Sequence, residues 1–179
     1  MIIATKRLIL RPFSIDDDAD VYEYCKNENV GKNAGWKPHA DINETREIMK
    51  KFFLNNDNAF AIVFDGKVVG SLGIMPDNLR DNDHSFMIGY ALSEDYWGKG
   101  IMTEACKAFL RYVFDNNKLH ILSVTCFDDN PRSENVILKC GFEFEGILHN
   151  AYPIYNGETK NLKFFYLTRQ MYQDFIKRL

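Results

Sequence analysis

The sequence has no apolar run approaching the roughly 18 residues that a membrane-spanning helix needs. Its first stretch, MIIATKRLILRPF, carries no long apolar segment after its basic residues, so a cytoplasmic protein with no membrane partner is expected. Basic residues are not in excess. With 22 Lys and Arg against 25 Asp and Glu, the formal charge is −3, which gives no field for phosphate backbones and argues against nucleic acid as a partner. Cys25, Cys106, Cys126 and Cys140 are widely spaced with no C-x-x-C pair, and three of them sit in apolar stretches. They read as buried free thiols of a reducing compartment, not as a disulfide framework. His39, His84, His120 and His149 are isolated and lack H-x-x-x-H spacing, so no metal is expected. Neither G-x-x-x-x-G-K-[ST] nor G-x-G-x-x-G occurs, which removes nucleotide hydrolases and dinucleotide-binding proteins. Repeats, low-complexity tracts and linker-like stretches are absent.

What is present is 179 residues, 46% of them hydrophobic, enough for one well-packed core and too short for two. A single domain over residues 1–179 is expected. TKRLILRPF (5–13) reads as a strand ended by Pro12, and Ser14 opens a helix through Asp16, Asp17 and Asp18, whose charges suit the helix dipole. Ile42, Thr45, Ile48, Met49, Phe52 and Phe53 recur at helical spacing, predicting a helix from Asn43 to about Leu54. NAGWKPHA (33–40), before it, reads as a loop. AFAIVF (59–64), KVVGSLGIM (67–75) and HSFMIGYAL (84–92) predict an antiparallel meander whose first turn is Asp65-Gly66. Ile101, Ala105, Ala108, Phe109, Tyr112 and Val113 mark an amphipathic helix to about Asp115. LHILSVTCF (119–127) is then a buried strand, and strand–helix–strand implies a right-handed parallel crossover. A third helix, Asn130 to Cys140, opens on an Asn-Pro cap and stops at Gly141. Strands around 142–148 and 159–167, with a turn at Asn156-Gly157, complete an α/β (α+β) class. The expected sheet is mixed and mostly antiparallel, with a parallel central pair and flanking helices.

SEDYWGKGIMTEA (93–105) places Gly98-Lys99-Gly100 directly before a helix. Glycine tolerates positive φ, so such a loop can turn its N–H groups inward around an anion, although a tight turn without ligand has the same sequence. Two helices start at carboxyl ends of strands, after YWGKG and at NPRSENVILKCGF, which is where ligands bind in such sheets. Over nearly its whole length the chain resembles the GCN5-related N-acetyltransferase (GNAT) superfamily, especially its ribosomal-protein N-terminal acetyltransferase branch. Four stretches in order carry the likeness: TKRLILRPF, GYALSEDYWGKGIMTEA, NPRSENVILKCGFEFEG and YNGETKNLKFFYL.

The resemblance implies acetyl-CoA as co-substrate. Backbone groups around Trp97, Gly98, Lys99, Gly100, Ile101 and Met102 would wrap its pyrophosphate, with Thr103 adding a hydroxyl and Lys99 a charge. The strand before the loop would splay at Tyr90, Ala91 and Leu92, so that its main chain binds pantetheine and a strand N–H at Tyr90 stabilises the tetrahedral intermediate. Asn130 would contact the cofactor arm, and is also a sufficient N-cap. Ser133 would protonate the departing thiolate, and is also an ordinary residue for a helix start.

Several positions depart from the family pattern. Asp95 replaces a Gln or Arg before the loop, Met87 and Tyr152 replace carboxylates, and Ile137 replaces a tyrosine acid. Proton removal then falls to water, or to Asp128 or Asp129. Trp36, Tyr152 and Tyr155 are expected to line the acceptor pocket. The acceptor would be a small-molecule or protein N-terminal amine, and a homodimer is left open. A second reading, favoured by the missing acid and base, is a catalytically weak acyl-CoA-binding module.

Overall fold

The unbroken apolar runs form the centre of a sheet: β3 (Ala59–Phe64), β4 (Lys67–Pro76), β5 (Ser85–Leu92) and β6 (Ile121–Phe127). In the computed structural model, which describes residues 1–116 and 119–178, these strands join β1 (Ile3–Ala4), β2 (Leu8–Arg11), β7 (Glu143–Pro153) and β8 (Thr159–Thr168). The order is β1-β2-β3-β4-β5-β6-β8-β7, and every neighbouring pair is antiparallel except β5 with β6. Asp65 and Gly66 both take positive φ, 48° and 79°, as a two-residue hairpin turn that matches strand twist requires.

Among the described residues, six α-helices cover the two faces. Phe60 and Ile62 of β3 pack with α4 (Ile101–Asn116), α5 (Pro131–Lys139) and α6 (Arg169–Ile176), whereas Ala61 and Val63 pack with α1 (Asp18–Cys25), α2 (Glu28–Ala34) and α3 (Ile42–Phe52). A strand buried on both faces loses the polar alternation of a half-exposed one, which explains the continuous run AFAIVF. All four cysteines are buried and free. No described helix is long and apolar enough to cross a membrane.

Four expectations need correction. The segment 5–13 is not one strand, because Thr5 pairs with Leu8 through N–H to C=O at 2.9 Å and takes the Leu8 N–H on its hydroxyl at 2.8 Å. That turn folds β1 back on β2. Residues 33–40 are not all loop, since Asn33 and Ala34 end α2, whose cap Asn27 accepts from the N–H groups of Asn29 and Val30. β7 continues past 148 to Pro153 across a register shift between Leu148 and Tyr152. α6, which the sequence reading did not include, starts at Thr168, whose side chain accepts from the Met171 N–H.

The closed end of the central strands is held by one carboxylate. Asp77, directly after β4, accepts from Ser123 of β6 at 2.6 Å, Ser85 of β5 at 3.1 Å and the Leu79 N–H at 3.0 Å. Arg80 stands 3.7 Å away and bridges to Glu145 of β7. Burial alone would raise the Asp77 pKa, but these hydrogen bonds and the Arg80 charge outweigh it and hold the carboxyl below its ordinary value.

Candidate active site

The parallel pair comes apart as it leaves that clasp. β5 and β6 stay in register at Ser85–Ile121, Phe86–Leu122 and Met87–Ser123 and no further, while β5 continues beside β4 as far as Leu92–Gly70. The phase of the β4 ladder follows from two bonds at its ends, Asp77 N–H to Ser85 C=O and Ser93 N–H to Val69 C=O. Main-chain groups of an antiparallel strand alternate sides. Those of Ser85, Met87, Gly89 and Ala91 therefore face β4, and those of Tyr90 and Leu92 face the gap. Trp97 takes the Leu92 carbonyl through its indole Nε1 at 2.8 Å, leaving the Tyr90 and Leu92 N–H groups toward the opening.

The glycine loop closes one end of this gap. Gly98 and Gly100 have φ of 74° and 73°, a conformation open to glycine and strained for a side chain. In α4 the Glu104 N–H bonds to the Gly100 carbonyl at 3.0 Å, so the N–H groups of Ile101, Met102 and Thr103 precede the intrahelical ladder and are free for an anion. Arg7 braces the loop by donating to the Lys99 carbonyl at 3.0 Å and to Glu104 at 2.7 Å. The same contact, with Thr5, holds the Glu104 carboxyl below its ordinary pKa although burial opposes this. An acid in the first turn is thus tied back by its own cation.

A cleft of about 390 Å³ lies between β5, the loop and α5. Ala91, Leu92, Trp97, Gly98, Gly100, Ile101, Met102, Thr103 and Asn130 line it, as do Tyr90 and Ser133. Lys99 lies outside this lining, with its ammonium 5.2 Å from the centre of the Tyr96 ring. Asn130 is an N-cap, its Oδ1 accepting the Ser133 N–H at 3.1 Å. The Tyr90 hydroxyl is 2.8 Å from Ser133 Oγ, and burial pushes its phenol pKa well up.

Sequence reasoning missed one side of the cleft. Arg132, Asn135, Val136 and Lys139 line it, a spacing that marks a single helical stripe, and the Arg132 guanidinium stacks 4.6 Å over Trp97. That stripe was legible once the helix had been placed. Val30, Asn33 and Ala34 of α2 line the other wall and carried no signal, since α2 was not foreseen.

The expected acceptor residues stand apart from this lining. Tyr152 packs on Phe127 at 5.5 Å, and its ring comes within 2.8 Å of a Cβ built on Gly35, beside Trp36. The late hairpin and the α2–α3 loop therefore meet there. Trp36 has a buried indole Nε1 without a hydrogen bond, and Tyr155 is exposed near the hairpin tip. Asp128 accepts from Asn161 at 2.8 Å and Asp129 pairs with Lys160 at 2.6 Å. Ile137 is a core residue.

Among the described residues the sheet parts at its parallel pair, with a positive-φ glycine loop at the mouth of the opening. The chain belongs to the acetyltransferase (GNAT) family, whose domain model matches residues 7–143. It is 32% identical over 159 residues to an uncharacterized N-acetyltransferase, YnaD, of Bacillus subtilis, covering 86% of this chain and 89% of that one. It is 25% identical over 173 residues to the [ribosomal protein uS5]-alanine N-acetyltransferase of Escherichia coli, covering 89% and 86%. An acetyltransferase structure of the same family from Bacillus anthracis superposes with a TM-score of 0.83 at 27% identity, covering 95% of this chain and 99% of that one.

Proposed function

We propose that the chain transfers the acetyl group of acetyl-CoA to a primary amine, a protein N-terminus or a small amine, by direct attack within a ternary complex. The observation that carries this reading is the parting of β5 from β6, which turns the Tyr90 and Leu92 N–H groups into a gap ending at the glycine cradle. The groups present suit the co-substrate. The N-terminus of α4 and the positive-φ glycines would hold the pyrophosphate, with Arg132 and Lys139 adding charge. Nδ2 of Asn130 would meet the pantetheine arm, since its Oδ1 is already used by the cap. The Tyr90 N–H would hold the thioester carbonyl oxygen where negative charge develops during attack.

Aligning amine and thioester is worth about 7–11 kcal/mol by effective-molarity arguments, so a strong local base is optional. The amine must arrive neutral, and water would carry its proton away, because Asp128 and Asp129 are engaged elsewhere. Trp36, Tyr152 and Tyr155 would border the acceptor, and the relative named for alanine N-acetylation of ribosomal protein uS5 supports a peptide amine.

Two variants test the assignments at the start of α5. Asn130→Ala removes the cap and an amide, so stability and acetyl-CoA affinity should each fall by about 1 kcal/mol. Ser133→Ala should lower kcat while leaving the KM for acetyl-CoA nearly unchanged, because its contact strengthens only as sulfur gains charge. Steady-state kinetics with parallel melting curves read both, and wild-type kcat in Ser133→Ala would return Ser133 to an ordinary helix role.

A further inference from the structure

Tyr90 brings two groups to the cleft, its main-chain N–H and its phenol. The ring projects from β5 toward α5, and its hydroxyl stands 2.8 Å from Ser133 Oγ and 3.2 Å from the Ser133 carbonyl. We propose that the Tyr90 hydroxyl is a positioning group, which donates to Ser133 Oγ and so leaves the serine proton as the one aimed at the departing sulfur. The inference rests on the reading of Ser133 given above.

A serine hydroxyl rotates freely unless a partner fixes it. Here Asn130 holds the Ser133 N–H at 3.1 Å and Tyr90 meets the side chain, so main chain and hydroxyl are both restrained. The phenol has one proton and two acceptors within reach. The shorter contact matches the usual O–H···O distance and the longer one lies beyond it, which favours donation to Oγ. Once Oγ accepts that bond, its own proton must point elsewhere, and both residues line the cleft. Burial raises the phenol pKa, which favours the protonated, donating form of Tyr90.

In the reaction the C–S bond breaks, the electron pair stays on sulfur, and the acetyl carbon keeps its new bond to nitrogen. Sulfur receives the Ser133 proton. Oγ is reprotonated through water by the proton that nitrogen loses, and Tyr90 keeps its own proton throughout, so no buried phenolate forms.

The test is a double-mutant cycle on kcat with Tyr90→Phe, Ser133→Ala and the pair. Tyr90→Phe keeps the ring and should lower kcat roughly tenfold, the loss expected for a hydrogen bond serving a charged site. Its KM for acetyl-CoA should stay within about twofold of wild type, which a general disturbance of the cleft would not spare. The double variant should be no slower than Ser133→Ala, and Ser133→Thr, which retains a hydroxyl, should recover most of kcat only when Tyr90 is present. Wild-type kcat in Tyr90→Phe, beside a slowed Ser133→Ala, would overturn the Tyr90 role and leave Ser133 standing. Losses that multiply in the double variant would overturn it as well. Wild-type kcat in Ser133→Ala would remove the underlying reading itself.

Discussion

Gly100→Val abolishes the thermal shift that acetyl-CoA gives the wild-type protein. A ligand bound only by the folded state stabilises it by about 2.7 kcal/mol at a hundred times its dissociation constant, which is a rise of roughly 5–11 °C for a chain of this size. The cause of the loss is conformational more than steric. A Cβ at Gly100 would find its nearest neighbour, the Arg7 guanidinium, at an ordinary 3.7 Å, but the φ of 73° is one that a β-branched residue resists. Valine would pull the loop into an ordinary φ and turn its N–H groups out of the cradle. The variant itself should still fold, with a cost of about 1–3 kcal/mol if the strain is retained. Gly146→Ala is the control, because Gly146 has no positive φ and nothing near its Cβ position; it should keep the full shift. Differential scanning fluorimetry over an acetyl-CoA titration makes the comparison, and an undiminished shift in Gly100→Val would remove the loop from the binding site.

Asp77→Ala is expected to be the most destabilising polar substitution in the sheet. Its side chain is fully buried and ties β4 to β5 and β6 where the gap begins. Removing it strands two buried hydroxyls, an N–H group and part of the Arg80 charge, for a cost of about 3 kcal/mol and a fall in melting temperature of about 6–12 °C. The pH dependence has a definite sign. Because the folded pKa lies below the ordinary carboxylate value, the stabilisation is complete above about pH 4 and is lost as pH falls through the lower folded value. Asp77→Asn should destabilise less than alanine and remove that part of the acid limb. Urea unfolding between neutral and acid pH measures both, and an acid limb unchanged in Asp77→Asn would show that the carboxylate does not carry it.

The central strands and the glycine loop were legible because each leaves a local mark. AFAIVF, the Asp-Gly turn and the Asn-Pro cap state their conformations within a few residues, and a Gly-x-Gly between a strand and a helix marks a positive-φ loop, with or without a ligand. α2 left no such mark, since ENVGKNA has a single branched apolar residue and is held by its Asn27 cap and by packing of Val30. The second half of β7 was hidden for a related reason. A register shift and the positive φ of Asn150 (50°) break the alternation that would have revealed it. The Tyr90–Ser133 contact joins residues 43 positions apart, so spacing could not show it, and the Asp77 clasp draws on three separate strands. Trp36 and Tyr152 were expected beside the acceptor; Tyr152 packs on Gly35, next to Trp36, and their relation to an acceptor depends on surface shape, which composition does not encode.

Acetyl transfer itself is tested by release of free thiol from acetyl-CoA in the presence of peptides, polyamines and amino sugars, with mass spectrometry of each amine. At least one amine should accelerate release, one acetyl group should appear on it per thiol freed, and the rate should rise with pH as the amine loses its proton. An acetyl-CoA-dependent thermal shift with thiol release that no amine accelerates would contradict it, and would leave a fold that binds an acyl-CoA without transferring its acyl group.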